Sequence, residues 1–161
     1  MLFRSAFVSD PLESFKVYKD STYAMMAEAQ RRGHALYTLQ QEHLLWRGGV
    51  VTGHARRLHV TGEGDDWFRV EDASPMPLHE FDAVLMRKDP PFDMEYVYST
   101  YLLELAQQQG ARVFNDPRAI RDSNEKLTIA RFPQFTADTV VTRDAARIHE
   151  FLAEQIGRAH V

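Results

Sequence analysis

The chain opens on Leu2-Phe3-Arg4-Ser5-Ala6-Phe7-Val8, a short apolar run that stops at Ser9-Asp10-Pro11, the pattern of a buried strand feeding a loop. Asp20-Ser21-Thr22 then offers N-cap side chains, and Tyr23 to Arg32 is rich in Ala, Met, Glu and Gln before Gly33 supplies a C-cap. A helix with both ends marked is predicted there. His34 to Leu39 reads as a strand through Leu36, Tyr37 and Leu39, so the opening third is strand, helix, strand, the unit of a parallel sheet.

The middle of the chain changes character. Leu44 to Arg47 and Val50-Val51-Thr52 flank Gly48-Gly49, a two-residue connection of hairpin type, which predicts an antiparallel insertion over residues 44–70. Ala55 to Thr61 and Trp67 to Val70 add short strands around Gly62-Glu63-Gly64-Asp65. From Phe81 the alternation of strand and helix returns. Asp82 to Met86 is a strand that runs into Arg87-Lys88-Asp89-Pro90-Pro91, and Glu95 to Gln109 carries Val97, Tyr101, Leu102, Leu105 and Ala106 at helical spacing before Gly110. Arg112 to Asn115 is the next strand. A short helix is expected from Pro117, a second over Asn124 to Phe132, a strand at Thr139-Val140-Val141-Thr142, and a last helix from Arg143 to Glu154 capped by Thr142. The sum is an α/β fold with a doubly wound, mainly parallel sheet and an antiparallel hairpin insertion. No final strand or packed terminus follows the last helix, so the fold is expected to be cut off.

Composition narrows the functional classes. Nineteen Lys and Arg against 23 Asp and Glu give a net charge of −4, which lacks the basic footprint of a nucleic-acid binder. With no cysteine, Cys-ligated zinc, thiol nucleophiles and disulfide frameworks are excluded. No stretch approaches the roughly 18 apolar residues of a membrane span, and Arg4 and Asp10 interrupt the start too early for a signal peptide. A cytoplasmic protein with no membrane and no nucleic-acid partner is expected. The seven histidines show no H-E-x-x-H spacing and read as surface or structural residues. Nucleophile-elbow, P-loop and G-x-G-x-x-G signatures are absent.

What remains is a set of polar clusters where a doubly wound sheet exposes them. Asp10-Pro11 follows the first strand, and Lys19-Asp20-Ser21-Thr22 sits at a helix start, where free N–H groups and the dipole favour an anion. Capping and ligand binding are compatible roles for Ser21 and Thr22. Met86 to Asp93 packs Arg87, Lys88, Asp89 and Asp93 around a stiff Pro-Pro step at a strand's carboxyl end, a place suited to gripping a substrate carboxylate with an Arg fork. Arg121-Asp122-Ser123-Asn124-Glu125-Lys126-Leu127 places a Lys one turn into a capped helix; on the residues alone Lys126 reads as a surface lysine beside Glu125.

In this order, these clusters resemble the amino-terminal half of the bacterial glutathione synthetases, a family of ATP-grasp ligases. The matching segments are Ser9-Asp10-Pro11, Lys19 to Met25 with Glu28 to Gly33, Leu85 to Asp93, and Arg121 to Leu127, and the likeness runs from Leu2 to about Gln155, including Val140-Val141-Thr142-Arg143. The resemblance implies a Rossmann-like pre-ATP-grasp substrate-binding domain over residues 1–122 and the start of an ATP-grasp domain over 123–155. Residues 156–161 fit neither and are expected to be a non-native tail.

It further implies ATP-dependent ligation of gamma-glutamylcysteine to glycine through an acyl phosphate, with Mg2+ and homo-oligomers, tetramers in the family. Lys126 would contact the nucleotide phosphates, and Arg87, Asp89, Asp20 and Ser21 would line the peptide-substrate side. The second Lys, the Gly-rich loop and the magnesium ligands of the family have no counterpart in the sequence, so this chain alone is expected to be inactive, with no catalytic residue and no metal ligand of its own. An apolar patch left without its partner domain is also expected. The alternative reading is a non-catalytic domain of the same fold that binds a small ligand or contacts other subunits.

Overall fold

In chain order the elements are β1 (Arg4–Val8), α1 (Ser21–Arg31), β2 (Ala35–Leu39), β3 (Leu44–Arg47), β4 (Val50–Val60), β5 (Phe68–Val70), β6 (Ser74–Pro77), β7 (Ala83–Met86), α2 (Met94–Gln108), β8 (Val113–Phe114), α3 (Pro117–Asp122) and α4 (Ala145–Ile156). They come from a computed structural model that describes residues 2–62, 64, 66–124 and 126–156. Contacts divide the chain into two units, Met1–Asp122 and Ser123–Val161.

The first unit is built on one curled, mixed, eight-stranded sheet with the order β3-β4-β2-β1-β7-β8, β5 and β6 also pairing with β4. Its centre is parallel: β1 pairs with β2 on one side and β7 on the other, and β7 pairs with β8. Alternation along β1 splits the core. Ala6 and Val8 face Val84, Met86, Leu103 and Ala106 on the α2 side, whereas Phe7 joins Leu36, Leu58, Met26 and Trp67 on the α1 side. A helix therefore covers each face, and both central strands are buried, as parallel strands require.

The antiparallel region is more extensive than the alternation predicts. The strands expected separately over residues 50–52 and 55–61 are one long β4, ending at Val60, which bonds to β3 and β6 through its first half and to β2 and β5 through its second. Gly48 and Gly49, at φ of +59° and +86°, make the two-residue turn that joins β3 to β4, a conformation that side chains with a Cβ resist. Gly53 is needed for space instead. A Cβ there would stand 2.5 Å from Leu39 Cδ1 and 3.3 Å from Leu78 Cδ2, both in buried side chains. Gly53→Val is expected to lower stability by about 1–3 kcal/mol through overpacking, read from urea unfolding curves.

Helix ends follow the sequence. Asp20 caps α1, its Oδ1 accepting the N–H groups of Thr22 at 2.7 Å and Tyr23 at 3.0 Å, and Asp93 caps α2 by accepting from Tyr96 N–H at 2.9 Å. Near the end of α1, Glu28 accepts from Arg31 and Arg32, which hold its carboxyl down from 4.5 to about 2. A carboxyl depressed in the folded state stabilises above its unfolded value and loses that contribution as pH falls. Between pH 4.5 and about 2, Glu28→Gln is accordingly expected to show a shallower acid loss of melting temperature than the parent.

The second unit departs from expectation. Of the helix expected over Asn124 to Phe132, the described residues form only a 3-10 turn at Thr128–Arg131, which stops at Phe132 (φ −131°, ψ 51°) because Pro133 disfavours helical backbone there. Thr139–Thr142 forms no strand among the described residues. Val140 and Val141 are exposed, and β propensity without a neighbouring strand gives no ladder. α4 begins at Ala145 rather than Arg143, since Asp144 accepts from Ala146 N–H at 2.9 Å while Thr142 Oγ1 accepts from Asp144 N–H. Among its described residues none is buried, and Phe132, Phe135, Val141 and Leu152 are exposed apolar side chains. No helix of the described residues is long and apolar enough to cross a membrane.

Candidate functional site

The site forms where β1 and β7 end side by side. Ser9 is buried and donates its N–H to Leu39 O at 3.0 Å, after which the chain turns at Asp10-Pro11 over the buried Leu12. Arg87 N–H returns to Val8 O at 2.7 Å. The Asp10 carboxylate then bridges the two strand ends. Its Oδ1 pairs with Lys88 Nζ at 2.7 Å, and Oδ2 accepts the Asp89 N–H at 2.8 Å. Lys88 Nζ also donates to Asp89 O at 2.7 Å, so its charge is matched within the loop. The next bond, Pro90-Pro91, is cis.

Arg87 is treated differently from its neighbour. Its Nη2 donates to Ser21 Oγ at 2.9 Å and its Nε to Thr22 Oγ1 at 3.1 Å, so the first turn of α1 holds the guanidinium plane. Hydroxyls orient a cation without neutralising it. Among the described residues no carboxylate lies within ion-pair distance of Arg87, and the helix N-terminus beside it adds to the pull on an anion.

These groups enclose a pocket of about 230 Å³ with Asp10, Asp20, Thr22, Arg87 and Asp89 in its walls and Ser14 and Phe15 closing one side. Tyr96, on the first turn of α2, feels the charges of both Arg87 and Asp89. Burial raises its phenol above the ordinary value of 10.0; the Arg87 cation acts against that rise and the Asp89 carboxylate adds to it. A larger cleft of about 1070 Å³ opens on the far side of Phe15. Its aromatic floor is committed to packing around Trp67, and its charged groups Glu13, Lys16 and Asp66 are exposed, so the concentrated chemistry belongs to the smaller pocket.

Of the residues singled out from the sequence, Arg87, Asp89, Asp20 and Ser21 come together around this one pocket. Lys126 belongs to the second unit. It is exposed, in a turn where Asn124 Oδ1 accepts its N–H at 3.1 Å, and not one turn into an α-helix. Asp10, singled out in the sequence for its place after a strand and within a matching segment but given no role there, bridges the two strand ends through Lys88 and the Asp89 N–H. Ser14 and Phe15 carried no sequence signal. Among the described residues no group of three or more His, Asp or Glu is arranged to hold a metal ion.

An α/β domain that gathers such a guanidinium and several carboxylates at the carboxyl ends of its parallel strands has the features of the class that binds small polar ligands. Comparison with known proteins makes the class specific. Residues 3–121 match the family model of the prokaryotic glutathione synthetase N-terminal domain. The chain is 62% identical over 152 residues to the glutathione synthetase of Ralstonia nicotianae, covering 94% of this chain and 47% of the relative. It is 58% identical to that of Nitrosomonas europaea (92% and 48% covered) and 46% identical to that of Shewanella oneidensis (89% and 46% covered). The chain belongs to the prokaryotic glutathione synthetase family, and it spans about half the length of the curated relatives it matches.

Proposed function

We propose that the chain supplies the peptide-binding part of a cytoplasmic ATP-dependent ligase that joins gamma-glutamylcysteine to glycine. The observation that carries this reading is Arg87, a cation oriented by two hydroxyls, without a carboxylate partner among the described residues and lining a pocket. Arg87, Asp89, Asp20 and Ser21 hold the peptide.

In the reaction a cysteinyl carboxylate oxygen attacks the γ-phosphorus of ATP, the bond to the bridging oxygen breaks and ADP leaves. The amine of glycine then attacks the acyl carbonyl, phosphate departs, and the nitrogen loses a proton to give the amide. Lys126 is assigned to the nucleotide phosphates as a mobile point charge. Magnesium would supply charge neutralisation to such a transfer.

The division of contacts between Asp122 and Ser123 supports reading 1–122 as a pre-ATP-grasp substrate-binding domain and 123–155 as the beginning of an ATP-grasp domain. Within the first, the parallel β2-β1-β7-β8 centre with α1 on one face and α2 on the other supports a Rossmann-like, doubly wound description. The proposed tail lies outside the described residues apart from Ile156.

Calorimetric titration of the chain with gamma-glutamylcysteine tests the reading. One peptide per chain is expected, without a requirement for ATP; no heat of binding would overturn it. In the same experiment with ATP, Lys126→Ala is expected to weaken nucleotide binding, and an unchanged affinity removes Lys126 from the site.

A further inference from the structure

Arg87 and Lys88 are consecutive cations at the end of β7, yet they go to different partners. Arg87 turns to Ser21 and Thr22 on the first turn of α1. Lys88 turns back to the end of β1, its Nζ 2.7 Å from Asp10 Oδ1 and 2.7 Å from Asp89 O. Asp10 is the one carboxylate paired with Lys88 among the described residues, and the two side chains are only 26% and 17% exposed. Among the described residues the pocket walls include Asp10 but not Lys88, so the carboxylate fronts the cavity and the ammonium does not. Without Asp10, an Arg and a Lys side by side at a helix N-terminus would suit a phosphate. Electrostatic attraction grows with the product of the charges, so a second free cation that strengthens a carboxylate about threefold strengthens a dianion by the square of that, about tenfold. The number of free cations therefore decides which anion is preferred, and Asp10 sets that number at one.

Resting on the peptide-site reading above, we propose that Asp10 is a positioning residue that sets specificity: by holding Lys88 it leaves Arg87 as the single free cation and keeps phosphate dianions out. A ligase that handles phosphoryl groups and a peptide carboxylate needs such a distinction. Asp10 touches no ligand in this role and acts through Lys88. Its two oxygens divide the work. Oδ1 neutralises the ammonium, and Oδ2 accepts the Asp89 N–H at 2.8 Å, which fixes the backbone just after the two cations. Asp10→Asn separates these tasks. The amide oxygen still accepts from the Asp89 N–H, whereas the amide nitrogen offers Lys88 no acceptor. The released ammonium, on its flexible four-carbon stem, is then free to turn to the cavity beside Arg87.

The probe is inorganic phosphate, titrated by calorimetry into the chain at about 0.3 M NaCl, where the Debye length is below about 8 Å and a mere change of net charge is damped. Asp10→Asn is expected to bind phosphate about tenfold tighter than the parent, and gamma-glutamylcysteine at most about threefold tighter. Adding Lys88→Gln to Asp10→Asn is expected to return phosphate binding to the parental level, and Lys88→Gln alone to change it by less than about threefold. A purely structural role for Asp10 gives the opposite pattern, weaker binding of both ligands that Lys88→Gln does not repair. Phosphate binding by Asp10→Asn no tighter than the parent's, or a gain that persists in the double variant, overturns the proposal. A loss well beyond about threefold in Lys88→Gln alone also overturns it, whether or not Asp10→Asn folds, because Lys88 would then already serve the ligand. Absence of gamma-glutamylcysteine binding to the parent overturns the peptide-site reading instead, and the phosphate titrations still decide the role of Asp10.

Discussion

Trp67→Ala is expected to lower the unfolding free energy by about 3–5 kcal/mol, the cost of removing a large buried aromatic side chain. Trp67 is 2% exposed at the centre of the α1-side core. Its ring stacks on Phe15 at 5.5 Å and 21°, meets Tyr23 edge-on at 5.2 Å and touches Phe68 at 4.9 Å. Few neighbours can close such a gap: Tyr23 is anchored through its hydroxyl to Gly62 O at 2.8 Å, and Phe68 is fixed within β5. Against a typical total of about 5–15 kcal/mol the loss leaves a marginal domain. Urea unfolding followed by circular dichroism measures it, and a change below about 1 kcal/mol would mean that the aromatic cluster is not a packed core. Because Phe15 also closes the ligand pocket, the same variant is expected to weaken peptide binding without altering a single charge.

Arg87→Ala is expected to weaken gamma-glutamylcysteine binding by at least about 30-fold, from roughly 2 kcal/mol or more for losing one partner of a desolvated charge pair. The substitution leaves β7 intact, since Arg87 contributes its backbone N–H to Val8 O whatever its side chain. Arg87→Lys is the sharper comparison. A lysine keeps the charge, but its ammonium has no planar fork with which to engage Ser21, Thr22 and a carboxylate together. It is expected to recover only a minor part of the affinity. Full recovery in the calorimeter would show that Arg87 acts as a point charge and that its two hydroxyl partners are incidental.

Much of the first unit was legible because local and tertiary preferences agree there. Asp20 and Gly33 bound α1, Gly48-Gly49 made the hairpin, and the strand ending at Met86 ran into its charged loop. Convergence of Asp20, Ser21, Arg87 and Asp89 followed from two elements having their ends on the same edge of the sheet. The continuity of β4 was hidden at Gly53-His54, a glycine squeezed by Leu39 next to a polar residue on the exposed face of the strand. β6 was missed because Pro75 and Pro77 argue against a strand, although an antiparallel edge tolerates them. In the second unit, Thr139 to Thr142 has strand-forming residues but no neighbour to pair with among the described residues. Propensity becomes structure only where burial rewards it.

The Asp10 bridge has an entropic consequence. Immobilising a long side chain at an interface costs about 0.5–1.5 kcal/mol of rotamer freedom. Here Lys88 is held by Asp10, and Arg87 by Ser21 and Thr22. Much of that ordering is therefore completed during folding, so both cationic side chains stand fixed at the edge of the pocket before anything enters it.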